Sequence, residues 1–95
     1  MLKLSEPQER VLRMMEQYKA HVSVHVWDDG YWQPVWVTSD PSWPRSTRCP
    51  NVRTMQALER KGLLKREVET FSTFCFVLTP EGYAIAEELQ DAKTD

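Results

Sequence analysis

The sequence predicts one α+β domain in which helices alternate with β-hairpins. Apolar residues recur at helical spacing in three segments, and in the stretches between them they alternate with polar residues, as strands do. Turn signals separate these stretches. The predicted order is therefore helix, hairpin, helix, hairpin, helix, and a chain of 95 residues can bury one modest core around these elements.

The first helix is predicted over residues 4–18. Ser5 and Gln8 have the spacing of a capping box, and Pro7 is tolerated in the first helical turn. The polar side, which includes Arg10, is expected to be ordinary solvated surface. The side facing the core is predicted to consist of Val11, Leu12, Met15 and Tyr18, with Met14 at its margin.

The next segment, residues 21–37, changes to a strand period. Valines alternate with other residues from 22 to 27, and Asp28-Asp29-Gly30 is a strong turn signal. A second strand, rich in aromatic and branched residues, is predicted over 31–37. Pro34 has no N–H to donate, so this strand is expected at a sheet edge or a bulge.

Residues 38–50 form a loop by composition, and their three prolines oppose a long helix, although a short one remains possible. The loop contains Trp43, which we expect to be the most exposed of the four tryptophans and a possible anchor at an interface. Arg45 and Arg48 lie in the same loop and are expected near the surface of the helix that follows.

The second helix begins after Asn51, whose side chain can cap it. Gly62 can take the left-handed conformation that closes a helix. Val52, Met55 and Leu58 recur every three residues and predict a buried stripe. On the opposite side, a single face is expected to carry Arg53, Gln56 and Arg60.

The second hairpin is predicted from strands at 64–68 and 74–78, with its tip near 70–72. Its return strand should place Phe74, Phe76 and Leu78 on the core. The last helix is predicted over 79–90, because Thr79 can cap it and Pro80 suits the first helical position. Residues 91–95 are expected to form a frayed tail.

A family resemblance follows from two phrases in this order, TMQALERKGL at 54–63 and LTPEG at 78–82. Residues 51–89 resemble the recognition helix, wing and last helix of winged-helix DNA-binding domains from small bacterial and phage regulators. The resemblance implies a winged-helix-like domain over 1–95, ordered helix, β-hairpin, helix, β-wing, helix. The first hairpin occupies the place where a standard helix-turn-helix has its second helix.

Charge is divided unevenly along the chain. The net charge is −2, but residues 45–66 carry seven basic side chains against one acidic side chain, or +6, whereas residues 67–95 total −6. A local basic block in an acidic chain is a candidate electrostatic footprint for nucleic acid. The alternative is a solvated helix face that happens to be basic.

Arg53 and Gln56 lie near the N-terminus of the second helix, and their side chains can match the edges of guanine and adenine. Thr54 could contact either a base or a phosphate, and the remaining cations are expected to hold phosphates. The predicted base contacts are Arg53, Thr54 and Gln56. The predicted phosphate contacts are Arg45, Arg48, Arg60, Lys61, Lys65 and Arg66.

These features predict a small cytoplasmic regulator that binds double-stranded DNA. Winged-helix domains commonly dimerise, and residues 5–18 and 79–90 are the expected contact. The alternative is a protein-binding module, such as a phage-encoded inhibitor of a host protein. The acidic last third of the chain and its exposed aromatic residues favour this alternative.

Several other classes of protein are not indicated. No apolar run approaches a membrane span, and the N-terminus lacks an apolar signal core. No nucleophile motif or glycine-rich phosphate loop suggests an enzyme or a cofactor, and Cys49 and Cys75 are expected to be free thiols. No metal site is predicted, because His21 and His25 would lie about 13 Å apart on one strand and a zinc site needs several converging ligands.

Overall fold

Four strands form one antiparallel sheet, and three helices contribute to a single core on one face of it. The computed structural model describes residues 3–94, with side chains through Gln90. The α+β class is confirmed, and the chain order is α1, β1, β2, α2, β3, β4, α3. The bounds are α1 Glu6–Gln17, β1 His21–Val26, β2 Trp32–Val37, α2 Val52–Arg60, β3 Leu64–Thr70, β4 Thr73–Leu78 and α3 Pro80–Thr94.

The two hairpins are joined edge to edge into a sheet of order β2-β1-β4-β3. The joint is the antiparallel β1–β4 pair, in which Val22 lies opposite Phe76 and Val24 opposite Phe74. Pro34 lies on β2, which is an edge strand, so the sheet does not need a backbone N–H from this residue. The edge position predicted for this strand is confirmed.

Strand alternation gives the sheet two unlike faces. The inner face is apolar except for Arg66, and its Val22, Val24 and Phe76 are fully buried beneath the helices. The opposite face, called here the outer face, is not covered by a helix in the described part of the chain. Its residues include His21, Ser23, His25, Val35, Val37, Lys65, Glu67, Thr73, Cys75 and Val77.

Helix α1 is closed at its N-terminus by the predicted capping box. Ser5 Oγ accepts from Gln8 N–H at 3.4 Å, and Gln8 Oε1 accepts from Ser5 N–H at 3.1 Å. Helix α1 ends where Lys19 takes a left-handed backbone conformation, with φ 51°. The predicted core side is confirmed for the buried residues Val11, Leu12 and Met15.

The loop 38–50 contains two turns and no helix. Trp43 N–H donates to the Asp40 carbonyl and Thr47 N–H donates to the Pro44 carbonyl, each at 3.2 Å. Prolines within and after these turns interrupt any continuous helical hydrogen bonding. The loop therefore carries the chain from β2 to α2 without the additional helix that composition left open.

The second hairpin is longer than predicted, because β3 runs to Thr70 and β4 starts at Thr73. Its register shifts between Val68 and Thr70, so Glu69 is an extra residue in β3. Phe71 lies at the tip and is fully exposed. The sequence pattern predicts that the first of these strands ends at residue 68 and that the second begins at residue 74.

The start of α3 is anchored on the residues that follow α2. Thr79 Oγ1 accepts from Gly82 N–H at 3.0 Å and donates to the Gly62 carbonyl at 2.7 Å. Thr79 N–H donates to the Leu63 carbonyl at 3.1 Å, and Gly82 packs directly against that carbonyl. The cap predicted at Thr79 is confirmed, and α3 extends past the expected end at residue 90 to Thr94. Asp95 lies outside the described residues.

Replacement of Gly82 by alanine is expected to destabilise the protein by about 3 kcal/mol. The new Cβ would overlap the Leu63 carbonyl and lie 3.1 Å from Leu78 Cδ2, and a backbone carbonyl cannot swing aside as a flexible side chain can. Urea unfolding of the two proteins measures the difference in the free energy of unfolding.

Gly30→Ala is the matched control for this substitution. Gly30 has φ 86° and no atom within 4 Å of the position that the alanine methyl would take, so only left-handed strain of about 1–2 kcal/mol is added. A loss at Gly82 no larger than the loss at Gly30 would contradict the tight packing of α3 on Leu63.

Candidate nucleic-acid interface

Helix α2 has one buried and one exposed side, as its sequence predicts. Asn51 caps it, because its Oδ1 accepts from Arg53 N–H at 2.8 Å. Met55 and Leu58 are fully buried against the core, and Val52 is partly buried beside them. The φ of 80° at Gly62 ends the helix in the left-handed conformation.

Arg53, Gln56 and Arg60 occupy the opposite side of α2. Arg53 and Arg60 are exposed and Gln56 is half-buried. None of the three side chains makes a hydrogen bond or ion pair with another described residue. Their polar groups are therefore available to a ligand, and two unpaired guanidinium groups flank an amide on one short helix.

The loop before α2 adds two more arginines. Arg45 and Arg48 are both exposed, and their guanidinium groups have no partner among the described residues. The backbone at Arg48 is held in place, because its carbonyl accepts from Trp36 Nε1 at 2.9 Å. The exposed, unpartnered arginines of the loop and α2 are called here the arginine surface, and they are Arg45, Arg48, Arg53 and Arg60.

Lys61 is used inside the fold. Its Nζ donates to the Lys3 carbonyl at 2.9 Å and to Gln8 Oε1 at 2.8 Å. These bonds tie the end of α2 to the N-terminal turn of α1. The ammonium group thus has protein partners where the sequence predicted a phosphate contact, and we leave Lys61 out of the arginine surface.

Arg66 is also engaged within the protein. Its guanidinium donates to both carboxylate oxygens of Glu59, at 2.7 and 3.0 Å. The same group lies 5.0 Å from the ring centroids of Trp32 and Phe74, within the range of a cation–π contact. Arg66 therefore joins α2 to the inner face of the sheet, and we leave it out of the arginine surface as well.

Lys65 points to the other side of the sheet. Successive residues of a strand face opposite ways, and Lys65 lies opposite Val77 whereas Arg66 lies opposite Phe76. Lys65 is exposed on the outer face, away from the helices. The two basic residues predicted to act together at the base of the wing are thus separated by the sheet.

Trp43 is not the exposed tryptophan that its loop position predicted. Its ring contacts Tyr18 and Trp36, with centroids 5.1 and 5.2 Å apart, and this aromatic cluster covers part of its surface. The exposed tryptophan is Trp27, at 50% of its surface. A loop residue becomes half-buried here because two aromatic rings from different elements lie within its reach.

A cavity of about 470 Å³ lies between α1, the loop and the start of α2. Arg10 and Arg48 line it, together with Asn51 and Thr54 from the first turn of α2. Thr54, predicted as a base contact, therefore borders this cavity together with Arg48. The contribution of Arg10 was missed, because a basic residue on the polar side of a helix carries no signal of a distant loop.

No family model, curated protein or solved structure matches this chain. None of the described helices is both long and apolar enough to cross a bilayer. The functional argument consequently depends on which side chains the fold leaves free. Within the described residues from 45 to 60, all four arginines, which are the members of the arginine surface, are left without an internal partner.

The two cysteines have different environments. Cys49 is exposed at the cavity, whereas Cys75 is buried within the sheet and its thiol lies 3.7 Å from the Glu67 carbonyl. Burial raises the pKa of the Cys75 thiol to about 11, and a hydrogen bond to Glu69 and the negative charge of that residue add to the effect. Both are free thiols, as predicted.

Arg66→Ala is expected to lower the free energy of unfolding by about 1–2 kcal/mol, because a partly exposed ion pair and its ring contacts are lost together. Lys65→Ala, one residue away, should change it by less than about 0.5 kcal/mol. Urea unfolding compares the two variants. Equal effects would show that the contacts of Arg66 contribute nothing to stability.

Thiol reactivity should distinguish the cysteines in reduced protein kept in EDTA. At pH 8 a thiol of pKa about 11 has about a hundredth of the thiolate present at an ordinary value near 9, and burial slows it further. We expect one fast and one slow reaction with Ellman's reagent. Cys49→Ser should remove the fast phase alone, and loss of the slow phase instead would contradict this assignment.

Proposed function

We propose that the protein binds double-stranded DNA through the exposed side of α2. The observation that carries the proposal is the arginine surface, in which four guanidinium groups lack partners among the described residues. Exposed guanidinium groups along one loop and the helix that follows it carry like charges, which repel one another. A polyanion relieves that repulsion and matches their geometry.

The residues on α2 and in the loop would have separate roles. Arg53 and Gln56 lie in the first half of the helix, and their groups match the edges of guanine and adenine in the major groove. Arg45, Arg48 and Arg60 flank them and would hold phosphates, which fix position without reading sequence. Helix α2 has nine residues and is about 13 Å long, so one copy would read only a few base pairs.

The order of elements supports the winged-helix-like part of the proposal. Helix α2 is followed directly by the β3–β4 hairpin, as a recognition helix is followed by a wing. The hairpin itself is not basic beyond its base, since Glu67 and Glu69 are exposed along β3 and Phe71 forms the tip. In this protein the loop 38–50, rather than the wing, would supply the flanking phosphate contacts.

Dimerisation would double the length of DNA that is read. Helices α1 and α3 pack on each other within one chain, and Gln90 Nε2 donates to the Arg13 carbonyl at 3.0 Å. A homodimer through residues 5–18 and 79–90 would therefore use their remaining exposed sides. Such a regulator would act in the cytoplasm of a bacterium or of a phage-infected cell.

A second function is favoured by a different surface. Trp27, Tyr31, Val68 and Phe71 are all exposed, at 50, 61, 82 and 104%. They gather at one end of the sheet, because Val26 N–H donates to the Ser72 carbonyl at 2.8 Å and places the two hairpin turns side by side. Exposed aromatic residues of this kind suit a protein partner, such as a host protein inhibited by a phage-encoded module.

The salt dependence of duplex binding tests the first proposal. Mixed-sequence duplex DNA is titrated at two salt concentrations with the parent and with a variant carrying Arg53→Ala and Arg60→Ala. Each lost phosphate contact lowers the slope of log affinity against log salt by about 0.9, so loss of Arg60 should lower the slope by about 1. Loss of Arg53, a base contact, should weaken binding further without a comparable change in slope. Its affinity at low salt should also fall.

The matched control removes the same charge elsewhere, through Lys19→Ala with Lys65→Ala. Both lysines are exposed, and neither belongs to the arginine surface. This control should keep most of the parent affinity and slope. Equal losses of affinity and slope in the two double variants would show that the effect depends only on net charge and not on the arginine surface.

A parent protein that binds no duplex even at low salt would exclude DNA binding. Capture of one cellular protein by the parent, and loss of that capture in a variant carrying Trp27→Ser and Phe71→Ser, would favour the protein-binding module.

A further inference from the structure

Three potential metal ligands meet on the outer face of the sheet. They come from three neighbouring strands: His21 from β1, Cys75 from β4 and Glu69 from β3. One imidazole nitrogen, the thiol sulfur and one carboxylate oxygen all lie within 4.8 Å of one another. The sequence predicts no such cluster, since its members are 48 and 6 residues apart along the chain.

The scaffold beneath these side chains is well defined. His21 and Cys75 stand on the two central strands, whose register pairs Val22 with Phe76 and Ser23 with Cys75. Glu69 is the extra residue of the bulge in β3. Bulges re-aim a side chain, and this one brings a carboxylate within reach of a thiol that regular pairing would have set opposite Glu67 alone.

We propose that His21, Glu69 and Cys75 bind a zinc ion. Thiolate and imidazole ligands favour zinc over magnesium or calcium, which prefer sets of oxygen atoms. In a tetrahedral zinc site with bonds of 2.0 to 2.3 Å the donor atoms are roughly 3.5 Å apart, so small side-chain adjustments bring these three donors into place. The His21 imidazole has no hydrogen-bond partner among the described residues and is free to coordinate.

Coordination would be incomplete with these three side chains alone. No helix covers the outer face in the described part of the chain, so a water molecule can take the fourth position. On binding, the Cys75 thiol loses its proton to solvent as the zinc–thiolate bond forms. Thiolate and carboxylate then supply two negative charges to a divalent ion, and the complex links β1, β4 and β3.

The zinc site is independent of the proposed function. Helix α2 packs on the inner face of the sheet, whereas the three ligands lie on the outer face or at its bulged edge. None of the three belongs to the arginine surface. A failure to bind DNA would therefore not contradict the zinc proposal, and a failure to bind zinc would not contradict the proposal of DNA binding.

Cobalt(II) is the direct probe, because a thiolate–cobalt bond gives a charge-transfer absorption in the near ultraviolet that zinc then bleaches. The reduced, metal-free protein is titrated with cobalt(II) and the complex is back-titrated with zinc. We expect one equivalent to bind, with the charge-transfer band present. Zinc should also raise the melting temperature of the parent, since a ligand of the folded state stabilises it.

The variants Cys75→Ser, His21→Ala and Glu69→Gln remove the ligands one at a time. Each should weaken cobalt binding at least about tenfold, and Cys75→Ser should abolish the charge-transfer band. His21 and Glu69 are not buried, so their variants remain informative if Cys75→Ser fails to fold.

The chain offers a matched control for each of two ligands, in Cys49→Ser and His25→Ala. Both controls should bind as the parent does, because neither residue is in the cluster. The proposal is overturned if the parent shows no charge-transfer band at micromolar protein. It is also overturned if the band survives in Cys75→Ser or is lost in Cys49→Ser.

Discussion

The junction between the end of α2 and the start of α3 is the constraint on which the other elements depend. Gly82 has no side chain, which lets α3 approach the Leu63 carbonyl, and Thr79 bonds to both Gly62 and Leu63 there. The β3–β4 pair begins beside this junction, with Leu64 opposite Leu78. One close backbone contact thus sets α2, the second hairpin and α3 relative to one another.

That placement divides the basic residues into two groups. Lys61 and Arg66 bond to protein groups and connect α2 to α1 and to the sheet. The arginine surface is left without internal partners in the described chain. Some of the basic residues at 45–66 are therefore bonded within the protein, and others are free to bind a ligand. A count of charges in the sequence does not distinguish these two groups. Only the free residues can support the proposed contacts with DNA.

The sheet adds a second division, between a face covered by helices and a face open to solvent. On the inner face, Arg66 fits among aromatic rings because Glu59 neutralises it. On the outer face, Cys75 is buried by its strand neighbours although no described helix lies above it. Recognition through α2 and metal binding through β1, β3 and β4 would consequently occupy opposite sides of one thin molecule. The substitutions that test one proposal therefore change no side chain of the other.

Much of the fold was determined by the sequence itself, because its signals act over a few residues. The capping box at Ser5, the cap at Asn51, the left-handed Gly62 and the edge position of Pro34 each follow from local hydrogen bonding or sterics, and all are observed. The exposed side of α2 follows from helical spacing in the same way.

Only the tertiary structure decided which distant groups meet. It joined the hairpins through β1 and β4, gave Lys61 and Arg66 internal partners, covered part of Trp43 and brought three ligand-type side chains together. These outcomes depend on strand register and helix packing between residues far apart in the chain, and no local pattern of residues encodes them.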